Sequence, residues 1–228
     1  MENTKYPRSY HVDFSPGATS DDKINKLWRD NIQNFKNIVH TEKMDGESTA
    51  LLSHVVMARS HSAPTTHPWA DHLKIIHSQI ANDLNDMEMG IYGENMYAQH
   101  SIIYPKLDSH FFVFGIRIKD MWLSWEEVKW YSAFFDLKTV PELCIQSTIN
   151  PLLVEKKILE LSKEESIFGS TETSGIICTR EGTVSRNIEE YHVNDFNENL
   201  FKYVRPSHVT TDIHWTRNWK RARLIHEY

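Results

Sequence analysis

The chain has 228 residues, of which 40% are hydrophobic and 25% charged, with a formal net charge of −6. These proportions are typical of a globular protein and exclude a disordered, collagen-like or coiled-coil chain. The acidic balance excludes a polycation that coats nucleic acid by bulk attraction, so any nucleic-acid contact must be local. Because the chain has only two cysteines, no secretory signal and no apolar run of about 18 residues, we expect a soluble cytoplasmic protein without membrane contact.

Apolar spacing and start signals predict four helices. The first has two aspartates near its start, which favour the positive helix end, and apolar residues at intervals of three and four up to Phe35. The second has an apolar face from Trp69 to Met87, the third opens with a capping box, and the fourth opens with Asn-Pro and ends near Leu161. These helices begin near Ser20, Pro68, Ser124 and Asn150.

Segments with strand character lie between the helices and come in adjacent clusters. The strand–helix–strand alternation of a doubly wound parallel sheet is absent, so the pattern favours an α+β fold with mostly antiparallel sheet. Neither a P-loop nor a dinucleotide-binding glycine motif occurs in the sequence. The predicted strands are Ser48–Met57, Gly90–Ser101, Ser109–Ile118, Gly175–Arg186 and Leu200–Val204.

The segment Thr41–Gly46, with the sequence Thr-Glu-Lys-Met-Asp-Gly, stands just before a predicted strand. In an extended backbone Lys43 and Asp45 project to the same side, while Gly46 permits a tight turn. A lysine amine attacks only when unprotonated, so burial or nearby positive charge must lower its pKa. The alternative interpretation is a surface turn with a salt bridge.

Two other segments offer a carboxylate and an aromatic surface. Glu94 follows a glycine in a predicted strand, where it could accept from a ribose hydroxyl or hold a hard cation; an exposed strand glutamate is an equally good interpretation. The strand Phe111–Ile116 places Phe112 and Phe114 on one face, which either packs in a core or stacks a purine.

The last third of the chain contributes a second carboxylate and a basic run. Glu181 precedes a glycine, so Glu94 and Glu181 could divide the work of holding metal and substrate. From Lys202 to Arg223 there are six Lys or Arg residues and one acid, Asp212, which gives a formal charge of +5. This run could track a phosphate backbone and stack bases on its tryptophans, or it could be a solvated C-terminal helix.

In this order the segments resemble the motifs of the covalent nucleotidyltransferase superfamily, which contains ATP-dependent RNA ligases, DNA ligases and mRNA capping enzymes. The Glu-Lys-x-Asp-Gly start and the Lys-Tyr-Val-Arg-Pro-x-His ending are most similar to small RNA ligases of bacteria and phages. The resemblance covers residues from 41 to about 219. The matching segments are Lys43–Gly46 with motif I, Gly93-Glu94 with motif III, Phe111–Ile116 with motif IIIa, Glu181–Val184 with motif IV and Lys202 with motif V.

The resemblance implies an ATP-grasp-like nucleotidyltransferase (adenylation) domain, with mostly antiparallel sheets and flanking helices. We expect one domain over residues 1–228 without a C-terminal OB-fold, since only 26 residues follow Lys202. The implied activity is an ATP-dependent RNA ligase that joins 5′-phosphate and 3′-hydroxyl RNA ends through lysyl-AMP and an adenylylated RNA end. It implies ATP and Mg²⁺ or Mn²⁺ as cofactors, RNA as the partner and a monomeric enzyme.

The resemblance also assigns roles to particular residues. Lys43 is the nucleophile, and Lys202 contacts the α-phosphate and lowers the pKa of Lys43. Glu94 and Glu181 are the metal contacts. The nucleotide-binding set is Glu42, Asp45, Gly46, Arg59, Glu94, Phe112, Phe114, Glu181, Lys202 and Arg205.

Two positions depart from the family pattern. Val204 stands at the second basic position of motif V, so Arg205 or His208 supplies that charge or the role is lost, and Gly115 replaces an aspartate that often follows the stacking aromatic. These departures leave open a DNA ligase, another nucleotidyltransferase, or a non-catalytic protein that binds nucleic-acid ends. No motif indicates whether the substrate is a nicked duplex, a tRNA break or a single strand.

Overall fold

The computed structural model describes residues 5–59, 63–169, 178–206 and 215–227. Within those ranges, no helix combines the length and the apolar character that crossing a bilayer requires. The α-helices are α1 (Trp28–Asn31), α2 (Asp71–Asp86), α3 (Trp125–Phe134), α4 (Pro151–Leu161) and α5 (Phe196–Asn199). Short 3-10 helices are formed by Ile32–Asn34, Pro68–Ala70, Val193–Asp195, Trp215–Arg217 and Ile225–Glu227.

Thirteen strands in the described ranges form two sheets, and most of their pairings are antiparallel. The strands are β1 (Tyr10–Val12), β2 (Ile24–Asn25), β3 (Ile38–Lys43), β4 (Glu47–Leu52), β5 (Val55–Ala58), β6 (Met89–Asn95), β7 (Phe111–Ile118), β8 (Met121–Trp122), β9 (Lys138–Thr139), β10 (Glu142–Gln146), β11 (Gly182–Asn187), β12 (Tyr191–His192) and β13 (Leu200–Val204). The six-stranded sheet has the order β10-β3-β11-β13-β1-β2. The seven-stranded sheet has the order β12-β8-β7-β6-β4-β5, and β9 pairs with β7.

Local signals account for the helix starts of α3 and α4. Ser124 and Glu127 cap α3 reciprocally, since Glu127 N donates to Ser124 Oγ at 3.4 Å and Ser124 N donates to a Glu127 carboxylate oxygen at 3.0 Å. The side chain of Asn150 accepts hydrogen bonds from the backbone of Leu152 and Leu153, and Pro151 occupies the first helical position of α4. The predicted starts and the end of α4 at Leu161 are confirmed.

The apolar core is divided among three clusters. One lies under α2 and α3 on the seven-stranded sheet and includes Leu73, Leu84 and Trp125. Another lies under α1 and α4 on the six-stranded sheet. A third joins the two sheets, because it combines Tyr92 and Trp122 of one with Leu200 of the other. Lys43 of the six-stranded sheet and Glu94 of the seven-stranded sheet interact electrostatically with each other and with Glu181, and the site between these side chains is called the cleft.

The helix predicted to begin near Ser20 is wrong. Ile24–Asn25 is a strand that pairs with β1, and only Trp28–Asn31 is α-helical before a 3-10 turn. Leu27, expected on the buried face, is 62% exposed. The apolar spacing is compatible with a helix, but the pairing of residues 24–25 with β1 overrides helix propensity.

Several predicted strand bounds also change. Ser48–Met57 is a hairpin of β4 and β5, and the strand predicted for Gly90–Ser101 ends at Asn95. In the predicted strand Gly175–Arg186, Thr179 forms an isolated bridge with Glu165 and the strand β11 begins at Gly182, while residues 175–177 lie outside the described ranges. Lys43, placed before a strand by the sequence, ends β3 and precedes β4. The α+β class with mostly antiparallel sheet is confirmed.

Candidate functional site

Lys43 forms a short ion pair with Glu181 in the cleft. Its Nζ donates to both carboxylate oxygens of Glu181 at 2.6 Å, although the two residues are 138 positions apart. Strand pairing brings them together, because Gly182 of β11 lies directly opposite Lys43 of β3. The side chain of Lys43 is 23% exposed and that of Glu181 is 6% exposed, so the amine can be reached from the cleft while the carboxylate is largely buried.

Gly182 is required by the close approach of β11 and β13. A Cβ atom at this position would collide with the carbonyl oxygen of Tyr203. Any larger residue would therefore push β13 away from β11. Since β11 is the strand between β3 and β13, the placement of Glu181 beside Lys43 depends on this glycine.

Lys202 lies on the same face of the six-stranded sheet as Lys43. Thr41, Val184 and Lys202 are register partners across β3, β11 and β13, and side chains at positions i and i+2 of a strand share a face. His11 is the next partner in this row, on β1. Asp22 joins them, with one oxygen 3.4 Å from His11 Nε2 and 3.9 Å from Lys202 Nζ.

The two lysines have opposite pKa shifts. Burial, with the nearby charge of Lys43, lowers the pKa of Lys202 to about 8. Burial also acts to lower the pKa of Lys43, but the carboxylates of Glu181, Glu94 and Asp45 outweigh it and raise that pKa above its ordinary value. The low pKa expected for Lys43 is thus not found in this arrangement, where its amine is a protonated partner of Glu181.

Glu94 faces Lys43 from the seven-stranded sheet. Its Oε1 accepts a hydrogen bond from Gly46 N at 3.1 Å, which fixes the turn between β3 and β4. Burial raises the pKa of Glu94 to about 8; Lys43 opposes this shift, and Glu181 adds to it. Burial therefore favours the neutral, protonated form of Glu94 in this arrangement.

Asp45 anchors the same turn to the segment that follows β6. Its carboxylate accepts from Ile102 N at 2.9 Å, and its own N–H donates to the hydroxyl of Tyr104 at 3.0 Å. His100 Nδ1 lies 3.8 Å from the other carboxylate oxygen. The side chain of Asp45 is thus directed toward residues 100–104.

Phe114 and Phe112 have different surroundings. The register of β6 and β7 shifts so that Gly93 pairs with Val113 and Tyr92 with Gly115, which leaves Phe114 as a bulged residue. Phe114 is half-buried, whereas Phe112 is 1% exposed with its ring centroid 4.9 Å from that of Phe168. The bulge interrupts the alternation from which a shared face was predicted.

Three residues of the predicted nucleotide-binding set lie away from the amine of Lys43 or on another face. Glu42 is directed to the opposite face of β3, where it accepts from Ile167 N at 3.1 Å and approaches Arg180 to 3.6 Å. Arg205 Nε donates to the carbonyl of Arg180 at 2.7 Å. Arg59 is exposed just after β5, near enough to contribute to the lowered pKa of Lys202.

The position that lacks the second motif V lysine is well defined. Val204 lies in one row with Gly182 and Lys43 across the sheet and is 3% exposed. The guanidinium of Arg205 is held by the Arg180 carbonyl, so Arg205 does not supply the missing charge in this arrangement. His208 lies outside the described residues.

Four residues near the site were not identified from the sequence. They are His11 and Asp22 beside Lys202, Tyr104 beside Asp45, and Tyr6, whose ring centroid is 4.7 Å from that of Phe114. No local pattern relates them to the motifs, because each reaches its partner through tertiary contacts over many residues.

The donor chemistry of the cleft fits a hard divalent cation. Glu94 and Glu181 interact electrostatically with each other and with Lys43, and carboxylate oxygens are the ligands that Mg²⁺ and Mn²⁺ prefer. Within the part of the chain that the structure describes, no group of three or more His, Cys, Asp or Glu side chains could hold a metal ion. Two carboxylates would leave most coordination positions to water and substrate, as is usual for Mg²⁺.

Similar solved structures come from RNA ligases. The chain is similar to a mutant of Naegleria gruberi RNA ligase solved with ATP and manganese, with a TM-score of 0.55 and 16% identity over 90% of this chain and 57% of that one. It is also similar to an archaeal ATP-dependent RNA ligase, with a TM-score of 0.53 and 14% identity over 88% of this chain and 48% of that one. This chain thus corresponds to about half the length of these proteins, and at such identity the likeness shows the fold.

A search of curated proteins found no match. A model of the RNA ligase family, however, matches residues 36–204, from just before β3 to the end of β13. The match includes Lys43, Glu94, Glu181 and Lys202. Because it covers most of the sequence, including these four residues, the chain belongs to the RNA ligase family.

Proposed function

We propose that this chain carries the nucleotidyltransferase activity of an ATP-dependent RNA ligase that joins 5′-phosphate and 3′-hydroxyl RNA ends. The observation that carries the proposal is the contact of Lys43 with Glu181, with Lys202 on the same face, inside the region matched by the family. The use of ATP is further supported by the solved relatives, two of which are described as ATP-dependent or as complexes with ATP and manganese.

Lys43 would form the covalent intermediate. Its amine attacks the α-phosphorus of ATP, the bond to the β-phosphate oxygen breaks, and pyrophosphate leaves with that electron pair. The amine must first lose the proton that Glu181 helps it keep. A ligand that draws the carboxylate of Glu181 away from Nζ would remove this stabilisation and lower the pKa of Lys43.

The metal contacts proposed are Glu181 and Glu94. A bound Mg²⁺ or Mn²⁺ would supply charge neutralisation at the triphosphate and the departing pyrophosphate. Glu94, with its pKa raised to about 8 by burial, gains a compensating charge in that state. Glu181 would exchange its contact with Lys43 for one with the cation, which couples nucleotide binding to activation of the amine.

Lys202 would bind the α-phosphate. Its side chain is only 14% exposed, so its charge acts in a poorly solvated environment, where electrostatic stabilisation is stronger than in water. Asp22 and His11 would hold its position. Phe114, half-buried at the bulge, is the aromatic proposed to stack the adenine, while the nucleotide contacts of Glu42, Arg59, Phe112 and Arg205 stay predictions.

The RNA steps return the enzyme to its starting state. A 5′-phosphate oxygen attacks the phosphorus of lysyl-AMP, which releases the amine of Lys43 and leaves an adenylylated RNA end. The 3′-hydroxyl then attacks that 5′-phosphorus, loses its proton and expels AMP. The monomeric state and the cytoplasmic location also stay predictions.

The proposal is tested by intact mass spectrometry of the purified chain after incubation with ATP and Mg²⁺ or Mn²⁺. We expect a mass increase of one adenylate that is lost on adding 5′-phosphorylated RNA. Lys43→Ala should prevent the adduct, whereas Lys36→Ala, which removes a lysine that is 76% exposed, should not. A folded chain that stays unmodified with ATP, GTP and NAD would refute the proposal.

A panel of nicked and single-stranded RNA and DNA substrates then tests the acceptor. Sealing of RNA supports the assignment. Joining of nicked DNA alone would overturn the RNA ligase assignment in favour of a DNA ligase, and adduct formation without any sealing would limit the activity to nucleotidyl transfer.

A further inference from the structure

A groove beside the turn between β3 and β4 is lined by Asp45 and by few other residues to which a role has been assigned. It is a cavity of about 370 Å³ between residues 96–104 and the C-terminal residues 220–223. Asp45, two positions from Lys43, forms part of its wall. Lys202, Glu94, Glu181 and Phe114 are not among its lining residues, so the groove is separate from these four side chains.

The C-terminal wall of the groove is held in place by backbone pairing. Gln99 N donates to the Lys220 carbonyl and Ala222 N donates to the Tyr97 carbonyl, each at 2.8 Å, so the described part of the basic run is an extended edge. The ring of Trp219 lies 5.7 Å from Trp69. In the described part of the run, the solvated C-terminal helix considered from the sequence is not formed, because residues 219–224 are non-helical between two short 3-10 turns.

The charges of this wall alternate with apolar contacts. Ala222 and Leu224 pack against the core, while Arg221 and Arg223 are exposed. Lys220, Arg221 and Arg223 fall within four consecutive positions of this paired segment. The wall therefore presents a row of positive charge on a fixed backbone.

Basic residues outnumber acids along the groove. Lys220, Arg221 and Arg223 line it together with one carboxylate, that of Asp45, which accepts from Ile102 N and lies near His100. Arg221 also pairs with Glu227, at 2.9 and 2.5 Å, which secures the edge. Since the whole chain has a formal net charge of −6, this concentration of positive charge is local.

We propose that this groove binds the phosphate backbone of the RNA strand next to its reacting end. Lys220 and Arg223 contact phosphates of this strand, and the partly exposed Ile103 supplies an apolar surface for a base. The inference rests on the proposed ligase activity and adds the location of its RNA substrate. The same phosphate chemistry could come from the triphosphate tail of ATP, so the test measures both ligands.

The test uses the full chain with Lys220→Ala and Arg223→Ala combined. We expect affinity for a fluorescent 5′-phosphorylated RNA oligonucleotide, measured by anisotropy without ATP, to fall at least tenfold. The negative slope of log affinity against log salt concentration should become shallower by about 1.4, because each phosphate contact to a single strand contributes about 0.7. The apparent KM for ATP in lysine adenylylation should stay unchanged.

The matched control combines Lys156→Ala with Lys163→Ala on and after α4, which removes the same charge from exposed positions that do not line the groove. It should leave RNA affinity and the salt slope as in the unaltered chain. A second pair, Lys220→Gln with Arg223→Gln, keeps polar side chains and should reproduce the loss if charge is responsible.

Two outcomes overturn the proposal. Unchanged RNA affinity and salt slope in both groove variants would exclude RNA binding there, and a raised KM for ATP with unchanged RNA affinity would assign the groove to the triphosphate. Failure of the proposed function itself is seen separately, as an absence of the adenylate adduct in the unaltered chain.

Discussion

Both faces of the six-stranded sheet bury polar groups, but the surroundings of the ionisable side chains differ between the two faces. On the cleft face, Lys43 and Lys202 lie with Glu181 in a network that solvent and ligands can reach. The side chains of His40 and Glu42, also on β3, lie on the opposite, outer face and are 0% and 1% exposed. Here His40 contacts Ser185 at 2.8 Å and Gln146 at 3.2 Å, and Glu42 is tied to Ile167 N.

This difference indicates which buried charges serve structure and which serve chemistry. Burial lowers the pKa of His40 to about 4, which keeps it neutral, and raises the pKa of Glu42. Burial thus opposes the charged forms of both outer groups, and hydrogen bonds hold them in place. In the cleft, the carboxylates outweigh burial and raise the pKa of Lys43, whereas burial and the charge of Lys43 lower the pKa of Lys202 to about 8, so a nucleotide or cation that enters can change both.

The largest loss of stability is expected from Gly182→Ala, which should displace residues on both faces of the six-stranded sheet. The added Cβ collides with the Tyr203 backbone, so β11 and β13 must separate, and we expect a loss of about 3 kcal/mol or more in the free energy of unfolding. Urea denaturation measures this loss in the free energy of unfolding. Gly115→Ala is the control, because its Cβ would find its nearest neighbour at 3.5 Å, an ordinary contact; a similar loss there would contradict the explanation.

Lys43→Arg should remove the chemistry of the cleft face while keeping its charge. A guanidinium can still pair with Glu181, but it does not lose a proton near neutral pH and cannot attack ATP. We expect no adenylate adduct by mass spectrometry and a denaturation midpoint close to that of the unaltered chain. Detectable adduct in this variant would show that another residue is the nucleophile.

Glu42→Gln should have the opposite effect to Lys43→Arg. It should lower the free energy of unfolding, while adenylylation of Lys43 is retained. Its carboxylate lies on the outer face beside Arg180, so replacing it weakens a buried polar contact worth about 1–3 kcal/mol. Adduct formation per folded molecule should persist, as measured by mass spectrometry at a temperature where the variant is folded. If the adduct is lost from a folded variant, Glu42 acts in the cleft after all.

The smallest effect concerns pH and the outer-face histidine. The pKa of His40 in the folded chain, about 4, is below its unfolded value near 6.5, so the unfolded chain binds the proton first on acidification. Its contribution is present above pH 6.5 and is lost as the pH falls toward 4, by about 2 kcal/mol at pH 5. Urea titrations between pH 7 and 5 should therefore show a shallower loss for His40→Gln than for the unaltered chain.

Residual pH dependence is expected in that variant, because burial also lowers the pKa values of His11 and His72 to about 4. Parallel curves for the two proteins would mean that His40 is protonated equally in the folded and unfolded chains.

The sequence predicted the elements that carry their own signals. The capping box at Ser124 and the Asn150-Pro151 start specify helix ends within a few residues, and both are found as expected. The helix near Ser20 failed because residues 24–25 pair with β1, and β3 was missed because its partners are β10 and β11, more than 90 positions later. Short strands gain their stability from such partners, which a local window does not contain.

For the site, the sequence by itself determined the residue types and their order, and with them the RNA ligase family. Only the tertiary structure decided that Lys43 meets Glu181, that Glu42 faces away from it, that Phe114 is bulged and that the C-terminal basic run lies beside Asp45. The physical reason is that chain order fixes which groups exist, whereas strand register, a one-residue bulge and backbone docking fix which face each group occupies. Burial and charge at that face then set the protonation state with which each group can act.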